Sequence, residues 1–106
     1  MTAQTMQLLA FMLRAPATGS YGLELLRESG LASGTVYPVL ARLENAGWLA
    51  SEWEAVDPAI AGRPRRRLYR MTAAGRQNAE EAIGRYAALL SAPGMPLALP
   101  PHAVAT

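Results

Sequence analysis

In this 106-residue sequence, the residues whose type and spacing most clearly indicate a binding function form a block of arginines. Six arginines and no acid lie between Arg63 and Arg76, whereas the stretch from Glu44 to Asp57 holds four acids and no base. The chain has no lysine, and its net charge is only +2. Because the planar guanidinium fork matches phosphate oxygens and guanine edges better than an ammonium group does, a local arginine block predicts a nucleic-acid contact.

Other kinds of chemistry have little support in this sequence. The chain has no cysteine, which excludes disulfides, thiolate metal sites and a cysteine nucleophile. Its only histidine is His102, and a metal site would need His102 to join carboxylates such as Glu80 or Glu81 of another chain. There is no glycine-rich phosphate loop and no pair of carboxylates in an apolar setting. We therefore predict no enzyme activity, no metal and no cofactor.

Three predicted helices precede the arginine block and would position it. Residues 3–14 are apolar almost all round, so we expect their helix to be covered by its own domain and also by a second subunit. Residues 20–29 and 34–46 follow, joined by a very short turn that contains Gly30. Two helices joined in this way are typical of a helix-turn-helix.

The predicted helix boundaries depend on polar residues at the N-termini of the helices. Ser20 and Ser33 are the expected N-caps of the second and third helices, because a hydroxyl can accept a hydrogen bond from the first helical turn. The second helix is expected to bury Leu23 and Leu26. The third is expected to bury a stripe that ends at Ala46.

A hairpin and a last helix complete the predicted architecture. Strands are predicted over residues 48–55 and 65–71, separated by a loop rich in glycine and proline over 56–64. A fourth helix is predicted over 73–91, with Thr72 as its N-cap. This element order favours an α+β, mostly helical winged helix-turn-helix with a C-terminal helix.

The predicted domain organisation has three parts. Residues 1–72 form the winged helix-turn-helix, residues 73–91 form a dimerisation helix, and residues 92–106 form a flexible tail rich in proline and alanine. No membrane span or signal peptide is recognised, so we expect a cytoplasmic protein. The residues expected at the dimer interface are Met6, Leu9, Leu13, Ile83, Tyr86, Leu89 and Leu90.

Several segments, taken in order, resemble the PadR family of bacterial transcription regulators. The start of that family's second helix resembles Tyr21-Gly22-Leu23-Glu24-Leu25. Its recognition helix is similar to Ser33-Gly34-Thr35-Val36-Tyr37-Pro38-Val39-Leu40, followed by Arg42-Leu43-Glu44 and Gly47. Its wing and last helix resemble Gly62-Arg63-Pro64-Arg65-Arg66, Tyr69, Thr72 and Gly75-Arg76. The resemblance covers roughly residues 5–90. It is strongest to the small subgroup with one C-terminal helix, although the turn between the second and third helices is shorter than in many members.

The resemblance implies a homodimer that binds double-stranded operator DNA. The third helix would lie in the major groove and the wing in the adjacent minor groove, where arginine is favoured by the negative potential. The implied protein is a ligand-responsive repressor of a palindromic operator, with a small-molecule effector near the dimer interface. The residues expected to contact DNA are Tyr21, Ser33, Gly34, Thr35, Tyr37, Pro38, Arg42, Arg63, Pro64, Arg65 and Arg66.

Several alternatives remain open on the sequence alone. A winged helix can also serve as a protein-binding module, and the arginine run can be a solvated strand edge that prevents aggregation. For Tyr21 and Tyr37, the alternative is that they are aromatic residues at the rim of the core. Trp48 and Trp53 are favoured as packing residues over the alternative that they stack on an aromatic effector.

Overall fold

The computed structural model describes residues 2–91, which form a mostly helical domain with a small antiparallel sheet. The predicted tail, residues 92–106 with His102, lies outside the described residues. The helices are α1 (Ala3–Arg14), α2 (Gly22–Ser29), α3 (Ser33–Asn45), α4 (Pro58–Ala61) and α5 (Ala73–Leu90). The strands are β1 (Ser20–Tyr21), β2 (Leu49–Trp53) and β3 (Arg67–Met71), in the sheet order β1-β3-β2.

The strand β1 was not expected from the sequence. Ser20 pairs with Tyr69 of β3 and is buried, so its predicted role as the N-cap of the second helix is wrong. The N-cap of α2 is Tyr21, whose backbone N–H donates to the Glu24 carboxylate at 2.9 Å. Because β1 has only two residues and its partner lies far along the chain, no local periodicity marks it.

The start of α3 also differs from its prediction. Its N-cap is Ala32, and Ser33 is the first helical residue, so Ser33 is not a cap. Ala46, predicted to end the buried stripe of this helix, is exposed at the C-cap position. The next residue, Gly47, has a φ of 81° and reverses the chain into β2.

The hydrophobic core lies where α1, α2 and α3 meet the sheet and α5. Leu9, which was predicted at the dimer interface, is fully buried in this core within the single chain. In α2 it is Leu25 that is fully buried, whereas Leu23 is 45% exposed and its predicted burial is wrong. The largest fully buried side chains are Leu8, Leu9, Leu25, Val36 and Leu40.

A very close backbone contact fixes the position of α5. A Cβ atom on Gly75 would lie 1.9 Å from the carbonyl oxygen of Trp48, so only glycine lets the helix approach this turn. Thr72 is the predicted N-cap: its Oγ1 accepts from the N–H of Gly75 at 2.9 Å and donates to the carbonyl of Gly47 at 2.7 Å. The start of α5 is therefore held against the turn that leaves α3.

Replacing Gly75 should test this contact. We expect Gly75→Ala to lower the free energy of unfolding by at least about 2 kcal/mol, because the new methyl group must displace backbone. Gly84→Ala is the matched control, since a Cβ at Gly84 meets nothing within 4 Å. It should raise the free energy of unfolding by about 0.5–1 kcal/mol through helix propensity. The measurement is urea denaturation at fixed protein concentration, and equal stability of the two variants would contradict the packing described.

Candidate nucleic-acid interface

Apart from Arg42, the exposed residues of α3 that were predicted to contact DNA have small or flat side chains. The opposite face of this helix carries Val36, Val39, Leu40 and Leu43, all buried in the core. On the exposed side, a Cβ at Gly34 would meet nothing within 4 Å. Five of the α3 residues predicted to contact DNA are exposed: Ser33, Gly34, Tyr37, Pro38 and Arg42.

Proline leaves a carbonyl group available on this helix. Pro38 lies inside α3 and has no N–H, so the Gly34 carbonyl lacks its usual helical donor four residues later. Because Gly34 has no side chain, this acceptor and the first N–H groups of α3 are close to the surface. The predicted contact residue Thr35 is half-buried beside them.

The wing is the β2–β3 hairpin, and its loop contains the short helix α4. Asp57 caps this helix by accepting from the N–H of Ala59 at 2.9 Å, and Gly62 ends it in the left-handed conformation. This loop was predicted to be irregular. A single turn of helix is too short to show a helical period in the sequence.

One carboxylate holds two arginines of the wing. The Glu54 oxygens accept from Arg63 Nη1 at 2.6 Å and from Arg66 Nη2 at 2.6 Å, while the Glu54 side chain is only 9% exposed. The guanidinium groups of Arg63 and Arg66 hold the pKa of Glu54 far below its usual range. The Glu54–Arg63–Arg66 cluster therefore carries one net positive charge rather than two.

The remaining hairpin arginines also have partners across the sheet. Arg67 Nε donates to Ser51 Oγ at 3.0 Å, and Arg70 Nη1 lies 3.2 Å from a Glu52 oxygen. Arg65 differs, because its Nε donates to the carbonyl of Val56 at 2.9 Å instead of to an acid. The acidic and basic blocks of the sequence thus pair with each other. Sequence reasoning missed this pairing, although acids at alternate positions of one strand were a usable signal.

The start of α2 lies against the wing. The Arg66 guanidinium lies 4.0 Å from the centroid of the Tyr21 ring, an arrangement that favours cation–π attraction. Gly22 lies beside two more aromatic rings, since a Cβ there would be 3.4 Å from Tyr37 and 3.3 Å from Tyr69. The helix α2, the helix α3 and the wing therefore meet at one surface.

This surface collects some of the predicted DNA-contacting residues but not all. A groove there is lined by Tyr37 and by four wing residues of the predicted set, Arg63, Pro64, Arg65 and Arg66. Arg42 instead lines a separate hollow, with Thr5 and Trp48 among its neighbours. Leu23, Trp53, Arg67 and Tyr69 also line the groove and were not predicted.

The residues predicted at the dimer interface differ in how exposed they are in the single chain. Leu89 is 58% exposed at the end of α5, whereas Met6 is 8% exposed. A hollow of about 320 Å³ lies between them, and Trp48 and Tyr86 line it. Leu13, Ile83, Tyr86 and Leu90 are half-buried in the single chain.

Within residues 2–91, no three histidine or acidic side chains are grouped closely enough to hold a metal ion. Of the helices in that range, none combines the length and the hydropathy that crossing a bilayer requires.

Two solved structures with similar folds are described as PadR-type regulators. A PadR family transcriptional regulator from Eggerthella lenta DSM 2243 shows 28% identity and a TM-score of 0.63, over 80% of this chain and 72% of that one. A PadR-like transcription factor from Bacteroides fragilis shows 26% identity and a TM-score of 0.63, over 80% and 81% of the two chains.

A third solved structure shares the fold at lower identity. The PcaV transcriptional regulator from Streptomyces coelicolor, solved with its natural ligand, shows 22% identity and a TM-score of 0.66, over 85% of this chain and 57% of that one. No curated protein sequence is similar enough to count as a match.

The family comparison covers most of the folded part of the chain. The model described as the transcriptional regulator PadR-like family matches residues 8–81, which include the helix-turn-helix, the wing and the first half of α5. The chain therefore belongs to the PadR-like family of transcriptional regulators.

Proposed function

We propose that this regulator is a repressor that binds a palindromic operator as a homodimer and leaves it when a small molecule binds. One observation carries the proposal: the start of α2, Tyr37 of α3 and the arginines of the wing meet at one groove. A dimer would present two such surfaces, related by a two-fold axis, to two half-sites about 34 Å apart. The expected location is the cytoplasm, where the operator is.

The helix α3 is suited to the major groove by its small exposed face. Gly34 and Pro38 allow a close approach to base edges, while the free N–H groups at the start of α3 can bind a phosphate. Ser33 and Thr35 add hydroxyl groups there, and Tyr37 adds a phenol that is 41% exposed. Phosphate contacts would position the protein, and base contacts would supply sequence preference.

The wing would contribute less charge than its arginine count indicates. Arg63, Arg65 and Arg66 together with Glu54 carry two net positive charges per subunit, because the Glu54 carboxylate is shared. Two wings would then displace about four counterions, which gives a log–log salt slope near −3.6 from the wings alone. Arg65 has no acidic partner and is exposed, so it is the wing side chain best placed to reach DNA first.

The dimer would form through α1 and α5. Leu89 is the most exposed large apolar side chain of α5, and a partner helix would remove it from water. The hollows on either side of Trp48, of about 400 and 320 Å³, lie next to this face and are candidate effector sites. The Streptomyces coelicolor neighbour, solved with its natural ligand, is a precedent for a ligand on this fold.

A protein-binding module is the second candidate. It is favoured by the pairing of most wing arginines with acids and by the exposure of Leu23 and Trp53. Such a module would show no salt-sensitive, sequence-specific binding to DNA.

A DNA titration separates the two candidates. We expect the protein to bind a fluorescent fragment of its own promoter region in an anisotropy assay, to resist excess unrelated DNA and to bind more weakly as salt rises, through counterion release. Failure to bind that fragment, together with failure to select any genomic site, would support the protein-binding module.

Glu54 offers a test of the wing. Glu54→Gln should free Arg63 and Arg66 from their shared anion, which raises the affinity for unrelated DNA and steepens the salt slope of the dimer by about 1.8. Anisotropy titrations at several salt concentrations measure both quantities. Glu80→Gln is the charge-matched control, because Glu80 is exposed on α5 away from the wing. If both variants change the slope equally, the wing does not contact DNA.

The dimer interface can be tested at its most exposed side chain. Leu89→Asp should give a monomer in multi-angle light scattering, because two carboxylates would be buried in the interface. The fold of the monomer should be retained, since Leu89 is largely exposed in the single chain. Gln77→Asp, an exposed position near the start of α5, should remain dimeric. A dimeric Leu89→Asp protein would show that the interface lies elsewhere.

A further inference from the structure

A wide groove lies on the surface proposed to contact DNA. It is a groove of about 770 Å³ between the helices α2 and α3 on one side and the wing on the other. Sites for drug-sized ligands have volumes of about 300–1,000 Å³. The groove is larger than the hollows beside Trp48, so the proposed effector site at the dimer face is not the only place where a ligand fits.

Half of the side chains that line the groove are aromatic or apolar. Tyr37, Trp53 and Tyr69 line it, and Trp53 is 60% exposed. Leu23, on α2, is 45% exposed beside them. Gly22 has no side chain, which lets the Tyr37 and Tyr69 rings approach α2 closely. Such flat, water-exposed ring surfaces favour a planar aromatic ligand.

The net charge of the groove indicates which charge an aromatic ligand should carry. Four arginines line it, and they are opposed by Glu44 in the lining and by Glu54 beneath Arg63 and Arg66. The groove therefore has two net positive charges. Arg67 already lies 4.9 Å from the Trp53 ring centroid, which leaves Arg65 as the arginine that has neither an acidic nor an aromatic partner. An anionic group on the ligand would complement this charge.

We propose that this groove binds a multi-ring aromatic carboxylate or sulfonate, and that the ligand excludes DNA directly by occupying the same residues. The second half of this inference rests on the proposed function, since Tyr37 and Arg65 are also proposed DNA contacts. A ligand in the groove would stack on Trp53 and Tyr37 and place its anion at Arg65. Release from DNA would then need no signal from the dimer face.

The two tryptophans of the chain provide a direct readout of ligand binding. Trp53 lines the groove, whereas Trp48 lines the hollows near the dimer face, and each indole N–H gives one cross-peak in a ¹H–¹⁵N spectrum. We expect 2-naphthoate to shift the Trp53 peak saturably and to leave the Trp48 peak in place. The cation 2-naphthylmethylammonium should shift neither peak. A shift of Trp48 alone, no shift at all, or an equal response to the cation would each overturn the proposal.

A pair of matched variants tests whether the anionic group of the ligand binds at Arg65. By calorimetric titration, Arg65→Gln should weaken 2-naphthoate binding by at least about tenfold, because a charge-assisted hydrogen bond is lost. Arg70→Gln is the control, since Arg70 lies on the same hairpin but does not line the groove. Equal weakening by both variants would indicate a general charge effect and would refute the groove site.

A competition experiment tests the link to DNA. Saturating 2-naphthoate should weaken binding to the promoter fragment by at least about tenfold, and the cation should not. If the ligand binds in the groove and DNA affinity is unchanged, the exclusion mechanism is wrong. If the protein binds no DNA while the Trp53 peak still shifts, the proposed function fails and the ligand site stands.

Discussion

The carboxylate of Glu54 lies between two arginines from the far side of the wing loop, and the geometry of the interface depends on this shared ion pair. It closes the loop that contains α4 onto the end of β2. Through Arg66 and the ring of Tyr21, it also connects the wing to the start of α2. Because the carboxylate is nearly buried and is held by two guanidinium groups, the wing is a preorganised surface rather than a flexible arginine-rich loop.

The same ion pair sets the electrostatic character of this PadR-family regulator. An arginine run with no internal anion would bind any nucleic acid strongly and with a steep salt dependence. Pairing with Glu54, Glu52 and Glu44 lowers the net charge, while the guanidinium groups stay at the surface. In the proposed complex with DNA, sequence preference would then depend more on the small exposed face of α3 and less on the wing's total charge.

Two glycines control how closely the surrounding elements approach. Gly75 lets α5 contact the turn after α3, which fixes the direction in which the C-terminal helix leaves the domain. Gly22 lets the rings of Tyr37 and Tyr69 approach α2 closely, and both rings line the aromatic groove. One glycine therefore positions the helix proposed for the dimer, and the other shapes the surface proposed for DNA and ligand. Since the family consists of regulators rather than enzymes, these two surfaces are where binding is expected to occur.

The sequence by itself determined the helices α1, α3 and α5, the hairpin and the location of the arginine block. These features depend on periodicity, on turn residues and on local caps such as Thr72, all of which act within a few residues. Only the tertiary structure decided the pairing of Ser20 with Tyr69, the burial of Leu9 within one chain and the exposure of Leu23. It also decided that Glu54 neutralises part of the wing and that the rings of Tyr37 and Tyr69 meet beside Gly22. The physical reason is common to these cases: each depends on contacts between residues distant in the chain, and local sequence patterns do not record which distant partner a side chain will meet.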